Sequence, residues 1–148
     1  MAHEPTEEEA NMSWLLWAPY HAYLERLHAQ LAQAGYADIR PAHGGNVLRH
    51  LRAEGSRLTE LAERADLTKQ SMSYLVDYLQ ERGYVERIPD PRDSRAKLIR
   101  LTARGWELTR VAEELIVHVE DETAARLGAD KVRQLRRLLQ EYAAVLAN

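Results

Sequence analysis

Residues 56–104 read SRLTELAERADLTKQSMSYLVDYLQERGYVERIPDPRDSRAKLIRLTAR and hold the most informative pattern of the chain. A short helix is predicted at 60–65. A second helix is predicted at 69–82, because apolar side chains recur there at three- and four-residue spacings. Two strands, at 84–88 and 97–101, flank a basic loop rich in turn-forming residues. This order predicts a winged helix-turn-helix, a module that sets one helix into a DNA groove and a basic loop beside it.

Helices are also predicted before this module. Apolar residues at helical spacing indicate a long helix at 12–34, with Asn11 or Ser13 as its N-cap. Pro19 lies inside this segment and is expected to kink it, or to lie near the true start of the helix. A further helix is predicted at 41–54.

The remaining elements follow from local signals. Thr68 is a good N-cap for the helix at 69–82, and Thr102 for a long helix at 103–127. After a break at Gly128, Asp130 is expected to cap a last helix that reaches residue 147.

The terminal helices carry more apolar side chains than a winged helix needs for its own core. Such stripes favour burial against a second subunit, with packing inside one chain as the alternative. We therefore expect a mainly α fold with a small β wing: an N-terminal tail and dimerisation helix at 1–40, a DNA-binding domain at 41–104, and C-terminal dimerisation helices at 105–148. The apolar residues concerned are Leu15, Leu16, Trp17, Leu135, Leu138, Leu139, Tyr142, Val145 and Leu146.

Composition narrows the function classes. The chain has 148 residues, no cysteine and a net charge of −3, which excludes a disulfide framework and a thiolate metal site. The charge is unevenly distributed: residues 69–104 hold eight bases and five acids, so the module's second half is basic. No run of 18 apolar residues and no export signal is found, so we expect a cytoplasmic protein without a membrane partner.

Catalysis and metal binding are not predicted. The chain shows no phosphate-cradling glycine loop, no metal-ligand triplet and no nucleophile–base pattern, so we expect neither an enzyme nor a cofactor. His21 and His28 are seven residues apart, as are His43 and His50. Seven helical residues span roughly 10 Å, so neither pair alone can share an ion; a site drawn from several helices stays open.

A family resemblance rests on LTELAERADLTKQSMSYLVDYLQERGYVERIPDPRDSRAKLIRLTARG. This segment resembles the core of MarR-type transcriptional regulators, over about residues 40–110. The resemblance implies a mostly helical homodimer whose terminal helices intertwine. It also implies repression at a pseudo-palindromic operator in double-stranded DNA, often relieved by a small ligand.

The resemblance also assigns DNA-binding roles. Tyr74 stands where the family often has Arg, so we expect an operator that differs from the family's common one. Arg95 is expected to enter a narrow minor groove, and Gln70 suits adenine. The predicted recognition residues are Lys69, Gln70, Ser71, Ser73 and Tyr74. The predicted wing residues are Arg92, Asp93, Ser94, Arg95 and Lys97.

Other charged residues have two interpretations each. Asp93 orients a wing arginine or caps the turn, and Asp77 holds a wing arginine or is simply solvated. Arg100 and Arg104 contact phosphates or pair with Glu86. Three residues near the start of the helix-turn-helix are further phosphate candidates: Ser56, Arg57 and Thr59.

A ligand pocket is a second hypothesis. Aromatic and polar residues gather on the first two helices, where they would stack on a small aromatic effector or serve core and dimer packing instead. The residues are Trp14, Trp17, Tyr20, His21, His43 and Asn46. A winged helix used as a protein-interaction scaffold is the competing function, and the basic wing favours DNA.

Overall fold

The computed structural model describes residues 10–147, so the acidic segment 1–9 lies outside the described chain. Four helices precede the wing: α1 (Met12–Gln33), α2 (Pro41–Asn46), α3 (Leu58–Arg64) and α4 (Lys69–Glu81). The antiparallel strands β1 (Val85–Asp90) and β2 (Asp93–Leu101) form the wing, followed by α5 (Ala103–Leu127) and α6 (Ala129–Leu146). The mainly α fold with a small β wing is therefore confirmed. None of the helices in this described part combines the length and apolar character that a membrane span requires.

The first helix matches its prediction, and the second does not. Asn11 caps α1, because its side-chain oxygen accepts the Trp14 N–H at 3.0 Å, and the helix continues through Pro19. The helix predicted at 41–54 was wrong in length, since α2 ends at Asn46 and only a 3₁₀ turn follows at Leu48–His50. Two glycines weaken this segment as a helix.

The helix-turn-helix is built from α3 and α4. Thr68 caps α4 as predicted, with its hydroxyl oxygen accepting the Ser71 N–H at 3.1 Å. Met72, Val76 and Leu79 are fully buried on one face of α4, where their helical spacing places them together. Because this face is buried, the opposite face of α4 is the one that remains exposed to a binding partner.

The wing is longer and its loop tighter than predicted. Only Pro91 and Arg92 separate the strands, and the ribbon closes with Asp90 opposite Asp93. The Asp90 carboxylate accepts the Arg92 N–H at 2.9 Å, which stabilises the turn. The strands predicted at 84–88 and 97–101 left an eight-residue loop at 89–96, but most of its turn-forming residues are accommodated in the strands, with a register shift at Pro89.

The α5 helix begins in close contact with the wing, whereas α6 begins directly after a glycine. Thr102 caps α5 by accepting the Gly105 N–H at 3.1 Å, as predicted. A side chain at Gly105 would overlap the carbonyl of Tyr84, so glycine lets α5 pack directly beneath the wing. Asp130 was wrongly predicted as the cap of α6: it lies in the first turn, after Gly128 in a left-handed conformation.

Candidate nucleic-acid interface

The exposed face of α4 carries the predicted recognition residues. Lys69, Gln70, Ser71 and Tyr74 are exposed, opposite the buried apolar face of the same helix. Tyr74 is 72% exposed, so its ring is not used in the packing of the chain. Such a ring is available to a partner outside the chain.

Two of the predicted serines already serve the helix. The Thr68 hydroxyl donates to the Ser71 hydroxyl at 2.9 Å, and the half-buried Ser73 donates weakly to Asp77 at 3.5 Å. By contrast, the side chains of Lys69, Gln70 and Tyr74 make no hydrogen bond within residues 10–147. These three are therefore the free donors and contact groups of the recognition helix.

The recognition helix is tied to the wing by an ion pair. Arg87 on β1 contacts the Asp77 carboxylate at 2.7 Å and also donates to the Gln80 amide oxygen. The interpretation that Asp77 holds an arginine of the wing is confirmed, with that arginine on a strand rather than in the loop. The pair neutralises the one acid in the middle of α4 and fixes the helix against β1.

The wing presents basic side chains around its turn. Arg92, Ser94, Arg95 and Lys97 are all exposed, and neither Arg95 nor Lys97 forms an ion pair within the described chain. Asp93 accepts the Arg95 N–H at 3.1 Å, so it caps the turn rather than holding the guanidinium of that arginine. The unpaired positive charges of Arg95 and Lys97 thus lie near the tip of the wing. The carboxylates of Asp90 and Asp93 stabilise the backbone there by accepting N–H groups.

Asp90 and Arg57 form the base of the wing. The Asp90 side chain is fully buried and contacts the Arg57 guanidinium at 2.6 Å. The N–H of Arg92, followed by Arg57, lowers the pKa of Asp90 below its ordinary value. Sequence reasoning missed this pair because 33 residues separate the partners, and their charges alone do not mark them as neighbours.

The other residues predicted to contact DNA phosphates have different partners in the structure. Arg100 pairs with Glu86 at 2.7 Å, as one interpretation held. Arg104 does not pair with Glu86: it donates to the Tyr84 hydroxyl at 3.1 Å and stacks over that ring, and its contact with phosphate stays a prediction. Ser56 was a wrong candidate, because it is fully buried and its hydroxyl oxygen accepts a backbone N–H from the preceding loop.

The predicted pocket residues do not converge. Trp14, Trp17 and His21 form a stack along one exposed side of α1, with ring centroids 5.1 and 4.2 Å apart. Trp17 and Tyr20 also line an open apolar groove of about 850 Å³ between α1 and α6. Asn46 is half-buried and lines neither this groove nor the cavity described next.

A separate cavity of about 420 Å³ lies between α1, α2 and α5. Of the six predicted residues only Tyr20 lies in its wall. Helix α5, which the prediction left out, contributes much of that wall. Its lining is mainly apolar with a few polar groups, among them Tyr23, His28, Arg49, Thr109 and Glu113.

His43 lies inside the protein and links α2 to the recognition helix. Its ring stacks on Tyr78 of α4, with centroids 4.2 Å apart, and its Nδ1 accepts the Arg40 N–H at 3.0 Å. The central carbon of the Arg82 guanidinium lies over the same Tyr78 ring, 3.4 Å from its centroid. Burial, then the nearby Arg40 and Arg82, lower the pKa of His43.

Metal ligands do not gather in this region. Among residues 10–147, no three His, Asp or Glu side chains form a group able to hold a metal ion. Instead, Nδ1 of His21 and Nδ1 of His28 hydrogen-bond to the backbone carbonyls of Trp17 and Ile39.

Comparison with known proteins agrees with this geometry. A profile described as MarR family matches residues 45–96, which cover the helix-turn-helix and most of the wing. The HTH-type transcriptional repressor Rv2887 of Mycobacterium tuberculosis is 32% identical over 87 residues, or 59% of this chain and 63% of the relative. The aligned region thus spans less than two thirds of that relative.

Solved structures match over a greater length. The reduced form of MarR from Escherichia coli superposes with a TM-score of 0.77 and 25% identity, covering 90% of this chain and 96% of the other. The Mycobacterium tuberculosis MarR family protein Rv2887, solved in complex with salicylic acid, gives a TM-score of 0.68 and 27% identity over 93% and 99% of the two chains. The chain thus has the fold of the MarR-type winged helix-turn-helix proteins, and residues 45–96 match the profile of that family.

Proposed function

We propose that this protein is a sequence-specific DNA-binding transcriptional regulator that acts as a homodimeric repressor at a pseudo-palindromic operator. The observation that carries the proposal is the set of free side chains on α4 beside a basic wing, the two joined by Arg87 and Asp77. The match of residues 45–96 to the MarR family profile supports the same assignment, and the named relative is a repressor.

Each subunit uses two contact regions. The first turn of α4 enters a major groove, where Lys69 contacts a phosphate or base edge and Gln70 pairs with adenine. Tyr74 stacks on a sugar or touches a thymine methyl group. Arg95 enters the adjacent minor groove, whose negative potential is greatest where the groove is narrow. The wing residues Arg92 and Lys97 add phosphate contacts.

The second subunit covers the groove between α1 and α6. No residue of α6 is buried in the single chain, although the helix carries a row of large apolar side chains. A row of this kind favours association with a second copy through a self-complementary surface. The two-fold axis then sets the half-sites about one helical turn of DNA apart. The exposed apolar residues include Leu15, Leu16, Trp17, Leu135, Leu139 and Leu146.

Selection from a pool of random duplexes tests this function. The bound fraction is recovered over several rounds and sequenced. We expect an inverted repeat with half-sites about one helical turn apart. A pool that shows no enrichment after repeated rounds would overturn the proposal and favour a protein-interaction scaffold.

A small aromatic acid is the proposed effector, bound in the cavity between α1, α2 and α5. The cavity volume of about 420 Å³ falls within the usual range for small-molecule sites, roughly 300–1,000 Å³. Its wall combines apolar side chains with tyrosines and an arginine, which suits a planar ring with a carboxylate. A ligand there separates α2 from α1 and changes the spacing of the two recognition helices.

Salicylate serves as the probe, measured by calorimetry and by release of the selected operator. The wild type is expected to bind it, and Ala112→Trp to abolish binding by filling the cavity that Ala112 lines. Ala29→Trp, at an exposed position on α1, is the matched control. Equal binding by all three proteins would place the ligand elsewhere.

A further inference from the structure

Arg57 occupies an unusual position for its side chain. It is the N-cap residue of α3, where a short side chain bearing an oxygen is the common choice. Its guanidinium instead extends to the wing. Nε lies 2.8 Å and Nη2 2.6 Å from the same Asp90 carboxylate oxygen, and Nη2 lies 3.8 Å from Asp93.

Asp90 depends on this contact. Its side chain is fully buried at the last position of β1, where the register of the ribbon shifts. Its other carboxylate oxygen accepts the Arg92 N–H and lies 3.5 Å from the largely exposed Arg92 Nε. Arg57 therefore supplies the close positive charge that a buried carboxylate requires.

The residue before Arg57 strengthens the same connection. Ser56 exchanges two backbone hydrogen bonds with Ile99 of β2, at 2.9 and 2.8 Å. The corner at 56–57 thus holds the middle of β2 through the backbone and the base of the turn through a side chain. It is a fixed attachment between the wing and the first helix of the helix-turn-helix.

We propose that Arg57 is a positioning residue for DNA binding, which acts through Asp90 by fixing the wing so that Arg95 reaches the minor groove. The inference rests on the proposed DNA-binding function. The same contact neutralises Asp90 and Asp93, whose charges would otherwise repel phosphates beside Arg95. The Arg57 side chain is 35% exposed, so direct binding of phosphate is the competing explanation.

Asp90→Asn separates the two explanations by the sign of its effect. The substitution removes a negative charge next to the DNA, and it frees Arg57. If Arg57 binds phosphate directly, affinity for the selected operator rises or stays unchanged. If Arg57 positions the wing, affinity falls by about tenfold, since one hydrogen-bonded charge pair at the wing base is lost.

A double-substitution cycle gives a second readout. Arg57→Ala is expected to weaken operator binding by about tenfold, and Arg95→Ala by a similar factor. When Arg57 acts through the wing, adding Arg95→Ala to Arg57→Ala changes little, because the misplaced wing no longer uses Arg95. Multiplicative losses in the double variant would overturn the positioning role.

Arg110→Ala is the matched control. It also removes one arginine from an ion pair, with Glu114 at 2.6 Å on the exposed side of α5. We expect its operator affinity to stay within about twofold of the wild type, as surface pairs contribute little. Arg57→Lys, which keeps the charge but loses the two-point contact, replaces Arg57→Ala if the alanine variant does not fold.

Hydrogen exchange tests the attachment without DNA. The amides of Arg92 and Arg95, which donate to Asp90 and Asp93, are expected to exchange faster in Arg57→Ala than in Arg110→Ala. A wild type that binds no duplex would overturn the proposed function, whatever the exchange rates. A wild type that binds its operator, with Asp90→Asn and the Arg57 variant binding equally well, would overturn this inference alone.

Discussion

His43 couples the folding stability of the protein to pH. Its pKa in the folded chain lies below the ordinary value of 6.5, whereas in the unfolded chain it returns to that value. The unfolded state therefore takes up a proton first as the pH falls. The contribution of neutral His43 to stability is fully present above about pH 6.5 and is lost as the pH falls toward the folded-state pKa.

Replacing His43 tests this linkage. The wild type is expected to lose stability between about pH 7 and about pH 5, and His43→Gln to lose less over the same range. Denaturant unfolding at several pH values measures both. His50→Gln is the control, because the His50 ring makes no hydrogen bond within residues 10–147. A wild type and a His43 variant with parallel pH profiles would contradict the assignment.

Single residues were predictable from sequence where their partners are local. The caps at Thr68 and Thr102 involve a partner three residues away, so the chain itself displays both halves of the interaction. The contact between Arg57 and Asp90 joins two elements, and neither residue shows in the sequence which opposite charge it meets. The contact of Arg104 with Tyr84 was missed for the same reason, since 20 residues separate the two.

The α4 helix depends on its cap at Thr68. Thr68→Ala removes the acceptor for the Ser71 N–H and is expected to destabilise the protein by about 1 kcal/mol. It is also expected to weaken operator binding, because the freed first turn carries Lys69 and Gln70. Denaturant unfolding and operator titration measure the two effects. Thr68→Ser, which keeps the hydroxyl that accepts the Ser71 N–H, should change neither; equal effects from both substitutions would contradict the role of the cap.

At the scale of elements, periodicity succeeded where one face of a long segment is buried. The apolar spacing of α4 and the long segments of α1 and α5 identified these helices nearly to the residue. The prediction of one helix at 41–54 was wrong. Val47 is buried and therefore fits the apolar spacing of a helix, but α2 has already ended at Asn46. The lengths of the strands were underestimated, because prolines and aspartates occur at the ends of strands in the wing as well as in its turn.

The whole molecule is expected to be a dimer held by α1 and α6. Leu139→Glu places a charge in the apolar groove that Leu139 lines and is expected to yield monomers. Analytical ultracentrifugation measures the mass. Tyr74→Glu introduces the same charge on exposed α4 and is expected to leave the dimer intact while weakening DNA binding. A dimeric Leu139 variant would move the subunit interface elsewhere.

Features formed by several helices together were the hardest to predict from the sequence. The cavity between α1, α2 and α5 combines residues as far apart in the chain as Tyr20 and Ile116, and the prediction of its lining left α5 out. Sequence alone showed that these rings were abundant. Only the packing of three helices shows that Trp14, Trp17 and His21 lie outside its wall.

The central claim is that α4 and the wing recognise a specific DNA sequence. The most direct test is to titrate the wild type into the selected duplex and into a scrambled duplex of equal length, over a range of salt concentrations. We predict affinity for the selected duplex at least about a thousandfold higher, with binding that weakens steeply as salt increases. Equal affinity for both duplexes, or binding that does not respond to salt, would contradict the account.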